Sequence, residues 1–268
     1  MRPVQPTELT VCGLMAVKAL FAREPGAIRR LYFDYATGRR IGIICRALAA
    51  RKGVYRCVEP AELEKIAGTV HHGGIVAVTA APAIGSPAPE DVRRWARAGD
   101  PLLALDRIGN AHNLGAIVRT AAFFGVPRLV IADHPQQALP GTSAYRVAEG
   151  GMEHVRVFKV ASLAEFLASI RESYLVIGTA VRGASPLVTA PGGAAGGRPV
   201  ALVLGNEEQG LASEVEAACE RRVRIPGSGP VESLNVSAAA AILLHHYFGG
   251  RRSKPRPAAE VSPRPSRL

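Results

Sequence analysis

The sequence predicts an α/β protein: a parallel sheet covered by helices, preceded by a small α/β unit. Three observations carry this. From residue 101 onward, short aliphatic runs alternate with helical segments, the pattern of strands joined by crossover helices. The run VALVL at 200–204 has no polar residue, as a strand covered on both faces requires. Before residue 101, Pro82, Pro87 and Pro89 stand among Ala, Gly and Ser, a composition that suits a linker over 81–100.

In the first unit, 11–22 has helical periodicity and Pro25 follows it. Residues 30–34 (RLYFD) read as a strand, 41–52 as an amphipathic helix with Arg and Lys on one face, and 54–58 as a strand. Pro60 opens a helix over 60–66, and the β-branched run 74–79 (GIVAVT) closes the unit as a strand. Residues 91–98 read as a short helix with Trp95 on one side. In the second unit the expected strands are 102–106, 128–133, 155–160, 174–179, 200–204 and 222–225. The expected helices are 113–124, stopped by Gly125 and Pro127, then 143–149, 163–172, 212–219 and 235–248. The sequence thus divides into 1–80, a linker 81–100, a main unit 101–250 and a tail 251–268.

Charge follows this division. The 268 residues carry a net charge of +11. Residues 1–80 hold 12 Lys/Arg against 6 Asp/Glu, residues 81–248 hold 15 of each, and residues 249–268 hold 6 against 1. A basic module beside a neutral one points to a polyanion-binding part and a catalytic part. The tail of Arg, Pro and Ser cannot bury a core and reads as disordered. Cys12, Cys45, Cys57 and Cys219 form no C-x-x-C pair, which argues against a zinc site or a disulfide framework and for buried thiols in a reducing cytoplasm. No charged-then-apolar leader opens the sequence. The apolar run 238–244 is far short of the roughly 20 residues of a membrane helix.

Ligands of parallel sheets bind at the carboxyl ends of strands, which singles out the loops 106–113, 179–186, 205–210 and 226–235. The first leads through Asn110-Ala-His-Asn-Leu-Gly-Ala-Ile-Val-Arg-Thr120 into a helix. Asn113 is a candidate cap for that helix. Arg119 follows among Ala116, Ile117, Val118, Ala121 and Ala122, where burial is costly unless the guanidinium meets an anion. The second, Gly205-Asn-Glu-Glu-Gln-Gly210, follows VALVL directly, and its glycines let backbone approach a ligand. The third, Ile225-Pro-Gly-Ser-Gly-Pro-Val-Glu-Ser-Leu-Asn235, opens a helix with Ser233 and Asn235, whose polar groups and free amides suit a polar or anionic ligand. Other features read as structural. The glycine-rich 192–197 precedes a strand instead of following one, so a flexible loop fits better than a dinucleotide fingerprint. His71-His72 and His245-His246 lack ligand spacing with carboxylates or cysteines, and no metal is expected. His112, inside the first motif, is a candidate for substrate contact.

Together the three loops resemble the signature motifs of the SpoU/TrmH family of RNA ribose 2'-O-methyltransferases, of the SPOUT class. The resemblance rests on Asn113, Arg119 and Thr120 in the first; on Gly205, Asn206, Glu207 and Gly210 in the second; and on Ile225, Pro226, Glu232, Ser233, Leu234, Asn235, Val236 and Ser237 in the third. It spans about 101–250. Residues 11–80, with Val11-Cys-Gly13 and Gly68-Thr-Val-His-His-Gly-Gly74, resemble the RNA-binding domain many members carry, a small α/β/α fold like that of a ribosomal protein. His71-His72-Gly73-Gly74 departs from the family's usual His-Gln-Gly, and Glu149 and Met152 fall within its small Ser-Ala-Gly-Ala run.

The resemblance implies a trefoil-knotted parallel-sheet domain, a homodimer with its active site near the subunit interface, S-adenosyl-L-methionine as methyl donor, and rRNA or tRNA as substrate; the basic first unit suggests a structured RNA, with a slight lean to rRNA. It implies that Leu204, Gly205, Asn206, Gly210, Ile225, Pro226 and Leu234 hold the cofactor, with Thr179 lining the pocket. Asn113, Arg119, Glu207, Ser233 and Asn235 are implied to surround the reacting ribose. A guanidinium keeps its proton throughout the working pH range, so a general base is a poor role for Arg119. Binding the neighbouring phosphate and stabilising the developing alkoxide suits it better. Two other functions compete: a catalytically silent RNA-binding or assembly protein of the same fold, opposed by the intact Arg119, Ser233 and Asn235, and a nicotinamide-dependent oxidoreductase, opposed by the missing G-x-G-x-x-G after the first strand.

Overall fold

The computed structural model describes residues 8–180, 183–187 and 197–250. The glycine-rich stretch 192–196 and the basic tail 251–268 lie outside the described residues.

The first unit runs β1 (Glu8–Cys12), α1 (Leu14–Arg23), β2 (Arg30–Phe33), α2 (Tyr35–Gly38), α3 (Gly42–Ala50), β3 (Val54–Cys57), α4 (Pro60–Ala67) and β4 (Ile75–Ala80). Its sheet has the order β1-β4-β2-β3, with β4 antiparallel to both neighbours and β2 parallel to β3. Period-two alternation builds an α/β/α sandwich. Leu9, Val11, Leu31, Phe33, Ile75 and Ala77 pack with α1 and α3, whereas Cys12 and Val76 pack with Leu63 and Ala67 of α4. One expectation is corrected here. The helix read from residue 11 begins at Leu14, because Val11 and Cys12 belong to β1, opposite Ala77 and Val76, and Gly13 at φ 94° turns the chain between them. Helical periodicity continues through these residues by coincidence, and only the partner strand decides their conformation. The thiols also differ from expectation. Cys12 is buried, and burial pushes it up to about 11, but Cys57 lies exposed on the edge strand β3.

The second unit runs α5 (Pro89–Arg97), β5 (Leu102–Leu105), α6 (Ala111–Phe123), β6 (Arg128–Ala132), α7 (Thr142–Ala148), β7 (Arg156–Val160), α8 (Leu163–Ile170), β8 (Leu175–Thr179), β9 (Ser185–Pro186), β10 (Val200–Leu204), α9 (Ser213–Ala217), β11 (Arg221–Arg224) and α10 (Val236–Phe248). The strands form one sheet in the order β7-β6-β5-β10-β8-β11-β9, parallel at every pairing. Later strands therefore enter gaps between earlier ones: β10 lies between β5 and β8, and β11 between β8 and β9. Both faces are covered. Leu103, Leu105, Leu129, Ile131, Leu202 and Leu204 pack with α6, α7 and α10, and Leu102, Ala104, Val130, Ala201 and Val203 pack with α5, α8 and α9. Within 81–100, α5 buries Val92 and Trp95. The indole packs 5.1 Å from the Phe158 ring and lies under the Arg128 guanidinium at 4.4 Å. No helix among the described residues is long and apolar enough to cross a membrane.

The two units dock through α1 and β1 against α7 and the turn after it. Thr10 and Thr142 share a hydroxyl hydrogen bond of 2.8 Å, Tyr145 packs on both cores, and the Arg23 guanidinium donates to the Glu153 carbonyl. The Glu153 side chain is only 10% exposed, with its carboxylate 3.9 Å from Arg23. Burial pushes this carboxyl up, Arg23 pulls it partly back, and Glu24 adds to the rise. An acid whose folded pKa is raised favours folding while protonated. That contribution is lost as pH climbs from the unfolded value near 4.3 through the folded one, and the penalty is constant above. Glu153→Gln should therefore raise Tm at pH 7.5 and lose that advantage near pH 4. A lower Tm at pH 7.5 would mean that the Arg23 attraction outweighs burial.

Candidate active site

The carboxyl ends of β5, β10, β8 and β11 are neighbours, so the loops that follow them meet at one edge of the sheet. Val203 lies level with Gly178, and Thr179 level with Val223, which brings Thr179, Leu204 and Ile225 to the same edge.

The loop after β5 enters α6 through Asn110, whose side chain accepts from the backbone N–H of His112 at 2.8 Å and of Asn113 at 3.4 Å. Asn110 is thus the cap, and the expectation of Asn113 in that role is corrected. The physical consequence is functional, because capping by Asn110 leaves the Asn113 amide free. Its Nδ2 donates to Glu207 Oε1 at 2.5 Å, and its Oδ1 accepts from Asn235 Nδ2 at 3.2 Å. Asn235 in turn caps α10, accepting from Ser237 N at 2.9 Å and Ser237 Oγ at 2.6 Å. One continuous chain of hydrogen bonds therefore joins the three loops that the sequence singled out, across sequence separations of 94 and 122 residues. Ser233 and Pro226 are exposed on the third loop, and Leu234 leaves 49% of its surface open.

The second loop is rigid. Asn206 and Gly210 exchange backbone hydrogen bonds of 3.0 Å, and the Asn206 side chain bonds Arg107 O at 2.8 Å, Glu208 N at 2.9 Å and Gln209 N at 3.0 Å. The Asn206 side chain is thus spent on holding the turn. Beneath the turn lies a pair that sequence reasoning missed. Asp106, 3% exposed, accepts from Ala212 N at 2.7 Å and meets Arg107 at 3.2 Å. Arg107, at φ 57°, reaches Gln209 Oε1 at 2.9 Å. The available signal was an acid placed directly after the apolar run LLAL. On the far wall, buried Gln137 bonds both the N–H and the carbonyl of Ile108, at 3.1 and 3.2 Å. Between these walls opens a cleft of about 560 Å³, with Asn113, Glu207, Glu208, Pro135 and Gln136 along it.

Arg119 stands apart from this cluster. It is exposed, not buried among the alanines of its helix, and its Nη2 lies 2.9 Å from Glu149 Oε2. His112, one turn before Ala116, meets Arg146 at 3.3 Å; because a guanidinium only donates, His112 Nε2 is the acceptor. His72 is buried, and its Nδ1 accepts from Gly74 N at 3.2 Å, a structural role.

Residues 100–245 match the family model described as the SpoU rRNA Methylase family, and residues 10–84 match the one described as RNA 2'-O ribose methyltransferase substrate binding. The chain is 37% identical over 239 residues to the 23S rRNA (guanosine-2'-O-)-methyltransferase RlmB of Acinetobacter baylyi, covering 86% of this chain and 92% of that protein. It is 35% identical over 246 residues to the uncharacterized tRNA/rRNA methyltransferase YfiF of Escherichia coli O157:H7, covering 90% of this chain and 68% of that protein. An AdoMet-bound rRNA methyltransferase from Sinorhizobium meliloti shares the fold, with a TM-score of 0.72 at 23% identity over 90% of this chain and 87% of that one. Sheet, linked loops and these matches define the class, an RNA methyltransferase. The chain belongs to the SpoU rRNA methylase family.

Proposed function

We propose that this chain transfers a methyl group from S-adenosylmethionine to a ribose 2'-hydroxyl of structured RNA, with ribosomal RNA the preferred substrate. The observation that carries this reading is the hydrogen-bonded chain Glu207–Asn113–Asn235, which draws three distant loops together beside the glycine-walled end of β10. The relatives support it: RlmB is a guanosine-2'-O-methyltransferase of 23S rRNA, and the Sinorhizobium meliloti protein binds AdoMet.

The donor fits the residues present. At Gly205 an added Cβ would lie 2.5 Å from Gly210 C and Leu211 N, so the turn closes there backbone on backbone, a shape that glycine alone permits. Ile225 and the half-open Leu234 supply apolar surface for an adenosine, Thr179 a hydroxyl, and the backbone at Leu204, Gly205, Asn206, Gly210 and Pro226 allows close approach, the Leu204 side chain being buried in the core. S-adenosylmethionine would supply a methyl group on a cationic sulfur, open to in-line displacement by the 2'-oxygen, with the neutral thioether leaving and the hydroxyl proton released to solvent. Asn113, Glu207 and Asn235, fixed by one another, orient the ribose with Ser233. Such alignment can supply about 7–11 kcal/mol of a barrier. Arg119 binds the adjacent phosphate and stabilises negative charge growing on the 2'-oxygen.

The exposed position of Arg119 favours a homodimer in which this arginine reaches the cleft across the subunit interface. Phe123, one turn further along the same face of α6, is 82% exposed, and Ile242 on neighbouring α10 is 40% exposed, an apolar surface suited to a second copy. The trefoil path belongs to the same reading, supported by late-entering β10 and β11 and by the return of α10 onto α6. Labour divides with charge: residues 1–80 hold RNA by shape and backbone, 81–100 connect and add α5 to the core of the second unit, 101–250 perform the transfer, and 251–268 add positive charge. The four free cysteines fit a reducing cytoplasm.

The test combines calorimetric titration of S-adenosylmethionine, incorporation of labelled methyl into purified rRNA and tRNA, and a map of ribose methylations in cells with and without the gene. Donor binding with incorporation into rRNA is the expected result. Binding without incorporation into any RNA would favour the catalytically silent reading, and no donor binding would end the methyltransferase reading and leave the silent one.

A further inference from the structure

Where the family carries a small Ser-Ala-Gly-Ala run, this chain has Glu149, and the structure gives that residue an unusual setting. Glu149 ends α7 in the left-handed region, at φ 44° and ψ 45°, with its N–H donating to Arg146 O. A side chain there crowds its own backbone, so glycine or asparagine fits with less strain. Among the described residues only Lys52 and Arg107 share this conformation without being glycine. Strained residues of this kind persist where their surroundings over-determine them, and the surroundings here do so. A Cβ on Gly151 would stand 3.0 Å from Arg119 Cα, and one on Gly150 would stand 2.9 Å from Ala19 Cβ. The turn is thus wedged between α6 and α1, and the Glu149 carboxylate meets the Arg119 guanidinium at 2.9 Å.

We propose that Glu149 is a positioning residue for methyl transfer: its carboxylate, fixed by the wedged turn after α7, holds the Arg119 guanidinium in the orientation that meets the RNA. The inference rests on the role given to Arg119 above. The pair is about half exposed, 57% at Arg119 and 52% at Glu149. An ion pair so wet is weak, so it orients the arginine without sequestering it. A guanidinium has five N–H donors, and a single carboxylate partner leaves donors for a phosphate or an alkoxide oxygen.

The test uses the full chain with Glu149→Gly, Glu149→Gln and Arg119→Ala, measuring Tm, donor affinity, and kcat and KM for RNA. Glu149→Gly should melt at or above the wild-type temperature, because glycine relieves the left-handed turn. Its kcat should nevertheless fall by up to about fivefold, the bias that an exposed ion pair can impose, with donor affinity unchanged, as a misoriented catalytic group loses rate. Glu149→Gln keeps an acceptor for the guanidinium and should recover part of that loss. In an Arg119→Ala background, Glu149→Gly should change nothing further. Wild-type kcat in Glu149→Gly alongside a dead Arg119→Ala would overturn the positioning role alone. Wild-type kcat in both would overturn the assignment of Arg119 itself. A lowered Tm with a matching loss of donor binding would make Glu149 merely structural and likewise overturn the proposal.

Discussion

Arg119→Ala is expected to lower methyl transfer by about a hundred- to a thousandfold, the loss typical when one donor to a developing oxyanion is removed. Binding of S-adenosylmethionine should remain as in the wild type. The separation follows from where the residue sits. On a regular helix, six residues place Arg119 about 9 Å along the axis from Asn113 and about 120° around it, away from the Thr179, Leu204 and Ile225 edge. Truncation removes one exposed ion pair with Glu149, worth at most about 1 kcal/mol, so Tm should scarcely move. Arg119→Lys keeps the charge but not the planar fork, and should recover only part of the activity. Single-turnover rates with saturating RNA, beside a donor titration of each variant, provide the check. Wild-type turnover in Arg119→Ala would show that the chemistry lies with other residues.

Much of this fold is legible in the sequence, for a physical reason. Strands buried on both faces must be apolar, so LLAL, LVIA and VALVL declare themselves, and Gly125 and Pro127 mark the end of α6. The less legible elements depend on partners distant in sequence. β1 pairs with residues 76–80, and nothing within 8–12 distinguishes a strand from the start of α1. β9 has two residues, too few for any period. The site shows the same division. Its residue types and spacing mark the three loops, but Asn110 and Asn113 stand three apart at one helix start, and local propensity cannot choose the cap between them. The arrival of Glu207 from the turn after β10 and of Asn235 from the start of α10 decides it, since Asn113 is the one they meet. The exposure of Arg119 depends on the turn after α7, and the buried Asp106–Arg107 pair on the return of the chain at Gln209 and Ala212.

Gly205→Ala should produce the complementary defect: loss of donor binding, by about tenfold or more, and loss of transfer with it. The added methyl would stand 2.5 Å from Gly210 C and Leu211 N and 2.7 Å from Gly210 O. All three are backbone atoms, so no side chain can swing aside, and the turn itself must shift. Such overpacking costs about 1–3 kcal/mol. The turn cannot yield locally, because reciprocal bonds between Asn206 and Gly210, the Asn206 side chain and the Arg107–Gln209 contact tie it into one piece. Displacement would therefore carry Glu207 away from Asn113 and break the chain of hydrogen bonds at its shortest contact. Gly125→Asn is the control. Gly125, beyond α6 and outside the site, has φ 70°, which asparagine tolerates, and open space where its Cβ would go, so donor affinity there should stay near wild type. Calorimetric titration of both variants decides the matter. If Gly205→Ala binds the donor as tightly as Gly125→Asn does, the turn after β10 does not hold the cofactor. If it binds weakly while Arg119→Ala binds normally, donor binding and charge stabilisation belong to two separable parts of one site.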